Sequence, residues 1–147
     1  PISIDTMRAN VAQAAISAGA CLVNDVSGGK ADPEMLTLMS NNRLPYVMMH
    51  WRGHSTEMMS LTNYHDVVAD VRDELQVQVN AAVSAGIDLN RIAIDPGIGF
   101  AKTVDQNWPI LAQIDELQNM GLLPGLVKLR SALGNRARAD YRLQILC

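Results

Sequence analysis
The sequence predicts an α/β fold, a partial TIM, or (βα)8, barrel of about four to five βα units. Three observations carry that expectation. Short apolar runs alternate with longer stretches whose apolar residues recur at helical spacing, the pattern of βα units on a parallel sheet. Each of the first four runs ends in polar or reactive residues: Asp5-Thr6, Asn24-Asp25, His50 and Asp95. Chemistry at the carboxyl ends of successive strands is barrel organisation, whereas a doubly wound sheet gathers it near one switch point. The 147 residues fall short of the roughly 200 that a closed barrel takes, so the units are part of one.

Taken in order, strands are expected over residues 2–4, 21–23, 46–49 and 92–94, with a fifth over 126–129. The Ala-rich stretch 8–18 reads as a helix, and Gly19 stands where a C-cap belongs. Asp32-Pro33-Glu34 has the form of an N-cap followed by Pro at the first helical position, opening a helix through residue 39. A long amphipathic helix spans 65–85, with Val67, Val68, Val71, Leu75, Val79 and Val83 on its apolar side and Gly86 after it. A fourth helix covers 108–120 and stops at Gly121. No low-complexity linker interrupts the chain, so residues 1–121 read as one partial barrel, followed by a basic tail over 122–147 holding one strand and a helix.

Apolar residues make up 48% of the chain and charged ones 18%, which is globular rather than disordered composition. No apolar run approaches the roughly 20 residues needed to cross a bilayer, and the start lacks a signal peptide's regions, so a cytoplasmic protein without membrane partners is expected. The net charge of -3 excludes a broadly basic nucleic-acid surface. The tail differs in kind: Lys128, Arg130, Arg136, Arg138 and Arg142 stand against Asp140 alone within residues 128–147. Cys21 lies in an apolar run and Cys147 is terminal, so both are expected as reduced thiols. Pro1 leads straight into a strand-like run, and further chain upstream is expected.

The segment richest in chemistry is Asp95-Pro96-Gly97-Ile98-Gly99-Phe100-Ala101-Lys102-Thr103. A buried strand delivers a carboxylate, and a turn follows in which glycines let the backbone approach a ligand. A phosphate-cradling loop would need Gly where Ala101 and Pro96 stand, so that reading is rejected. A carboxylate at a barrel mouth offers two parallel acceptors to the N–H edge of a planar aminopyrimidinone ring. Asp5 and Asn24, one strand end apiece, can add hydrogen bonds to the same ring. The plainer reading is that Asp5 and Asp95 cap the helices that follow. His50 and His54 stand four apart, but Gly53 between them and the strand before them argue against a zinc pair.

Pro1-Ile2-Ser3-Ile4-Asp5-Thr6, Val23-Asn24-Asp25-Val26-Ser27-Gly28, Met48-Met49-His50-Trp51-Arg52-Gly53 and the Asp95–Thr103 segment together resemble the dihydropteroate synthase family, in the order that family uses. The resemblance covers about residues 1–121. It implies condensation of p-aminobenzoate with a 7,8-dihydropterin methyl diphosphate in folate biosynthesis. By resemblance Asp5, Asn24 and Asp95 hold the pterin, with Asp95 the catalytic candidate. Met49 and Phe100 line the slot, a placing that plain core packing explains equally well. Loss of diphosphate builds positive character on the pterin methylene carbon, which facing carboxylates stabilise. His50, Arg52 and Lys102 are candidates for the diphosphate side, His50 reading equally as a satisfied polar group and Arg52 and Lys102 as surface charges. The family implies Mg2+ to offset the diphosphate charge, although the segment that binds it there has no counterpart here, and a homodimer in the full-length protein.

Beyond Gly121 the family's Ser-Arg-Lys motif is expected, but Arg130-Ser131 stands in reversed order with no Lys after it. A reading-frame change or a foreign end is the expectation that follows. Without the family's first two strands and its last, the chain is expected to be inactive alone. Two rival readings stand: a noncatalytic pterin-binding fragment, and the pterin-binding barrel of a methyltetrahydrofolate corrinoid methyltransferase. Met48-Met49-His50-Trp51-Arg52-Gly53 favours the synthase over the methyltransferase.

Overall fold
A computed structural model describes residues 1–118 and Met120. Four strands form: β1 (Ser3–Asp5), β2 (Leu22–Asp25), β3 (Tyr46–Met49) and β4 (Ile92–Asp95). Five helices intervene and follow: α1 (Ala9–Ser17), α2 (Met35–Asn42), α3 (Val67–Ser84), α4 (Val104–Ala112) and α5 (Ile114–Gln118). All neighbouring strands pair in parallel, and the sheet order is β1-β2-β3-β4. Sequential order without reversal is that of a barrel wall, since a doubly wound sheet reverses at its switch point. The strand expected over 126–129 and the tail over 122–147 lie outside the described residues.

The helices lie on one face of the sheet. Ile4, Val23, Tyr46, Met48, Ile92 and Ile94 meet Ala12, Met35, Met39, Val71, Leu75, Val79, Ile110 and Leu117 in one core. The intervening strand residues Asp5, Asn24, Met49 and Asp95 therefore point to the opposite face, because side chains alternate along a strand. One such alternation is costly unless compensated: Asp25 points to the helix face and is fully buried. Its carboxylate accepts from the Ser27 N–H (2.8 Å), the Ser27 hydroxyl (2.7 Å), the Gly29 N–H (2.9 Å) and the Tyr46 hydroxyl (2.7 Å). Burial and the carboxylate push the Tyr46 phenol far above its ordinary pKa, so it stays a donor.

Several element boundaries differ from expectation for identifiable reasons. Asp32 does not open α2, which begins at Met35. Its Oδ1 accepts from the Glu34 N–H (3.0 Å) to form a turn, and its Oδ2 accepts from the Ala9 N–H (2.7 Å). It thus supplies the first turn of α1, whose own N-cap Arg8 offers no side-chain acceptor. The helix expected over 108–120 is two, broken at Gln113, and the first starts four residues earlier because Gln106 reaches back to the Thr103 N–H (2.9 Å). In α3, Asp66 caps the Val68 and Ala69 N–H groups, and Val83, expected on the apolar face, is 44% exposed. No cysteine is free among the described residues, which corrects the reduced thiol expected at Cys21. No described helix is long and apolar enough to cross a membrane.

Removing the Tyr46 hydroxyl takes one donor from a buried carboxylate. Tyr46→Phe is expected to lower the unfolding free energy by about 2 kcal/mol. Asp25→Ala, which also orphans two backbone N–H groups, is expected to cost about twice that, both measured by urea denaturation.

Candidate functional site
The face turned away from the helices carries the sequence-predicted ring-binding residues. Parallel register sets Asp5 beside Asn24, and the Asn24 side-chain amide donates to Asp5 Oδ2 at 2.9 Å. Asp95 lies two strands further along, about 10 Å across the sheet, in register with Met49. All four sit at the carboxyl ends of their strands. Among the described residues the Asp5–Asn24 pair leaves Asp5 Oδ1 and Asn24 Oδ1 without a hydrogen-bond donor, so both remain acceptors for a ligand.

Past β4 the chain turns sharply. Gly97 adopts φ 66°, and a Cβ there would come within 2.7 Å of the His50 carbonyl and 3.2 Å of Met49 Cγ, so no other residue fits. The Gly97 N–H donates to Asp95 Oδ1 at 2.8 Å, which fixes the carboxylate while Oδ2 accepts nothing among the described residues. Asp95 thus caps the turn after its own strand and still presents an open oxygen. Met49 is buried beneath this turn, and Phe100 stands 42% exposed at its tip. Met49 is therefore held by packing as well as being placed to form a floor, and Phe100 is free to meet a ligand from above.

His50, Arg52 and Lys102 belong to one network, in which His50 is a satisfied polar group, one of the two places expected of it. His50 is fully buried and Lys102 is 3% exposed, so Lys102 is not a surface charge. His50 Nε2 lies 3.0 Å from Glu74 Oε2 and its Nδ1 lies 3.1 Å from Lys102 Nζ. Because an ammonium can only donate, Nδ1 is the acceptor and Nε2 carries the proton. Arg52 bonds both Glu74 oxygens and the Leu61 and Asn63 carbonyls, and stacks its guanidinium 3.6 Å over the Tyr64 ring. The three donors of Lys102 and four of the five of Arg52 are therefore engaged within the protein, which disfavours direct contact with a diphosphate. Sequence reasoning missed Glu74 and Tyr64. Glu74 and Gln78 interrupt the otherwise apolar α3 stripe of Val71, Leu75, Val79 and Ala82, and that interruption was the available signal.

Burial pulls the His50 imidazole down to about 4, helped by the Lys102 charge and opposed by Glu74. Burial also lowers Lys102 to about 8, helped by Arg52 and opposed by Asp95 and Glu74. For Glu74, burial alone would raise the carboxyl, but the Arg52 and His50 bonds hold it below its ordinary value. Among the described residues no group of three or more His, Cys, Asp or Glu side chains is placed to hold a metal ion. His54 is exposed and edges the Trp51 ring at 5.1 Å, apart from the His50 network.

A neutral buried His50 has a folded pKa below its unfolded value of 6.5, so its contribution to stability is fully present above that pH. That contribution is lost as pH falls toward 4 and amounts to about 3 kcal/mol. Urea denaturation near pH 7 and again near pH 4.5 is expected to show the loss in the unsubstituted chain. In His50→Gln the drop between the two conditions is expected to be smaller by about 2 kcal/mol.

The sequence matches the family described as pterin binding enzyme over residues 1–135. It is 50% identical over 122 residues to the dihydropteroate synthase of Mycobacterium leprae, covering 82% of this chain and 43% of that protein. The Synechocystis dihydropteroate synthase is 45% identical over 121 residues, 82% of this chain and 42% of its own length. The chain spans less than half the length of these curated relatives. Its fold superposes on dihydropteroate synthase of Xanthomonas albilineans, solved with 4-aminobenzoic acid, with a TM-score of 0.75 at 38% identity. That match covers 83% of this chain and 42% of the other, and the same enzyme has been solved in complex with 7,8-dihydropteroate. The four consecutive βα units are thus a partial TIM barrel, and with a family match that takes in most of its length the chain belongs to the pterin binding enzymes.

Proposed function
We propose that the chain forms the pterin-holding portion of a dihydropteroate synthase, which joins p-aminobenzoate to a 7,8-dihydropterin methyl diphosphate. One observation carries the reading. Asp5, Asn24 and Asp95 come from three separate strand ends onto one face of the sheet, with open acceptor atoms on each. A flat ring bearing an amino group and ring N–H donors complements such a row, and an anionic ring does not. The 7,8-dihydropteroate bound to the Xanthomonas albilineans enzyme carries a pterin ring with such donors, which supports the reading.

In the reaction proposed, the arylamine nitrogen bonds to the pterin methylene carbon as the carbon–oxygen bond to diphosphate breaks. The amine then gives up a proton. Positive character grows on the methylene and spreads into the ring during the break. A preorganised carboxylate beside the ring stabilises that charge without acting as a nucleophile. Asp95 fits this part because its orientation is fixed by the Gly97 N–H before any ligand arrives. Phe100, exposed at the turn, supplies an apolar cover for one ring face.

Calorimetric titration with a dihydropterin tests the reading. The unsubstituted chain is expected to bind, and Asp95→Asn to weaken binding by about ten- to a hundredfold, the worth of a charged hydrogen-bond pair. Asn24→Ala is expected to weaken it by about tenfold, and unchanged affinity in both variants would contradict the proposed surface.

A further inference from the structure
Residues 96–103, between β4 and α4, pass through three left-handed positions: Gly97 (φ 66°), Gly99 (φ 84°) and Ala101 (φ 50°). A chain so turned has no ladder to satisfy its carbonyls. The Phe100 N–H reaches the Gly97 carbonyl at 3.0 Å, and side chains supply the other donors. Lys102 Nζ donates to the Gly97 carbonyl (3.0 Å) and the Phe100 carbonyl (3.0 Å), and the Tyr64 hydroxyl donates to the Ala101 carbonyl (3.0 Å). The third Lys102 donor goes to His50 Nδ1 at 3.1 Å. A buried ammonium is tolerated only when fully bonded, and this one bonds only the turn and the residue that follows β3. Ala101, left-handed without being glycine, persists because its surroundings over-determine it.

Gly97 is gripped at both ends. Its carbonyl accepts from Lys102 Nζ and from the Phe100 N–H, and its N–H donates to Asp95 Oδ1 at 2.8 Å. The path from Lys102 to Asp95 is therefore two hydrogen bonds through a single peptide-bearing residue. His50 is part of the same frame, since its backbone N–H donates to the Asp95 carbonyl at 2.8 Å while its ring receives Lys102. We propose that Lys102 is a positioning residue, which fixes Gly97 so that the Gly97 N–H aims the Asp95 carboxylate at the bound ring. Glu74 and Arg52 hold Lys102 in turn, through His50. The charge of Lys102 thus serves the Asp95 carboxylate from beneath rather than a substrate anion from above.

Only the affinity arm of the test rests on the pterin reading. In the unsubstituted chain, labelled with nitrogen-15 and carbon-13, a through-hydrogen-bond coupling between Lys102 Nζ and the Gly97 carbonyl carbon is expected. Its absence overturns the proposal. In Lys102→Met the Gly97 amide proton is expected to exchange faster with solvent and dihydropterin affinity to fall about tenfold. Adding Asp95→Asn to Lys102→Met is then expected to weaken binding no further than Asp95→Asn alone, because both act at one carboxylate. Additive losses in the double variant, or a Gly97 amide unmoved by Lys102→Met, overturn the proposal. A chain that binds no dihydropterin contradicts the function proposed above, and the Gly97 amide then decides this inference by itself.

Discussion

Asn24 and Asp25 are adjacent in sequence and face opposite sides of the same sheet, and on that alternation everything else in the structure depends. Asp25 turns inward, where four hydrogen bonds from the loop after β2 and from Tyr46 compensate a fully buried carboxylate. Asn24 turns outward to meet Asp5. The same division recurs at Met48 and Met49, the first in the helix-side core and the second in register with Asp95. A slip of one residue in any strand would exchange the two sets. The apolar wall of Val23, Tyr46, Met48, Ile92 and Ile94 prevents it, since a slip would drive polar side chains into the core.

Helix α3 links the two faces at the carboxyl ends of the strands. Gln78 donates to the Ser27 and Met49 carbonyls, each at 3.2 Å, and so ties the loop after β2 to the end of β3. Gly28 is required there, because a Cβ would sit 2.1 Å from the Gln78 amide nitrogen. One turn earlier on the same helix, Glu74 takes His50 and Arg52. Arg52 stacks on Tyr64, and Tyr64 reaches the turn after β4. The outward-facing polar row is therefore backed by a buried, nearly closed circuit of charge-assisted bonds. Such circuits are stable only when complete, so loss of one member weakens the rest.

Much of this was legible in the sequence. Each of the four strands among the described residues starts within one residue of where the sequence puts it, because the apolar runs are short and their polar ends mark the stops. The outward row was legible for the same reason: strand-end carboxylates and amides are conspicuous against apolar runs. The inward network was not. Lys102 and Arg52 read equally as cations for an anionic substrate and as surface charges because burial is decided by what other segments bring to them, and Glu74 arrives from a helix more than twenty residues past Arg52. Asp32 reads as the cap of its own helix because the Ala9 N–H that it serves is 23 residues away. The early start of α4 was a missed local signal, with Gln106 three residues after Thr103.

Met48 and Met49 offer the most direct test of the central claim, since neighbouring side chains should respond oppositely to a ring on the outward face. With methionine methyl groups labelled, addition of a dihydropterin is expected to shift the Met49 methyl resonance and leave that of Met48 in place. A shift confined to Met48, or an unmoved Met49 at saturating dihydropterin, would contradict the account.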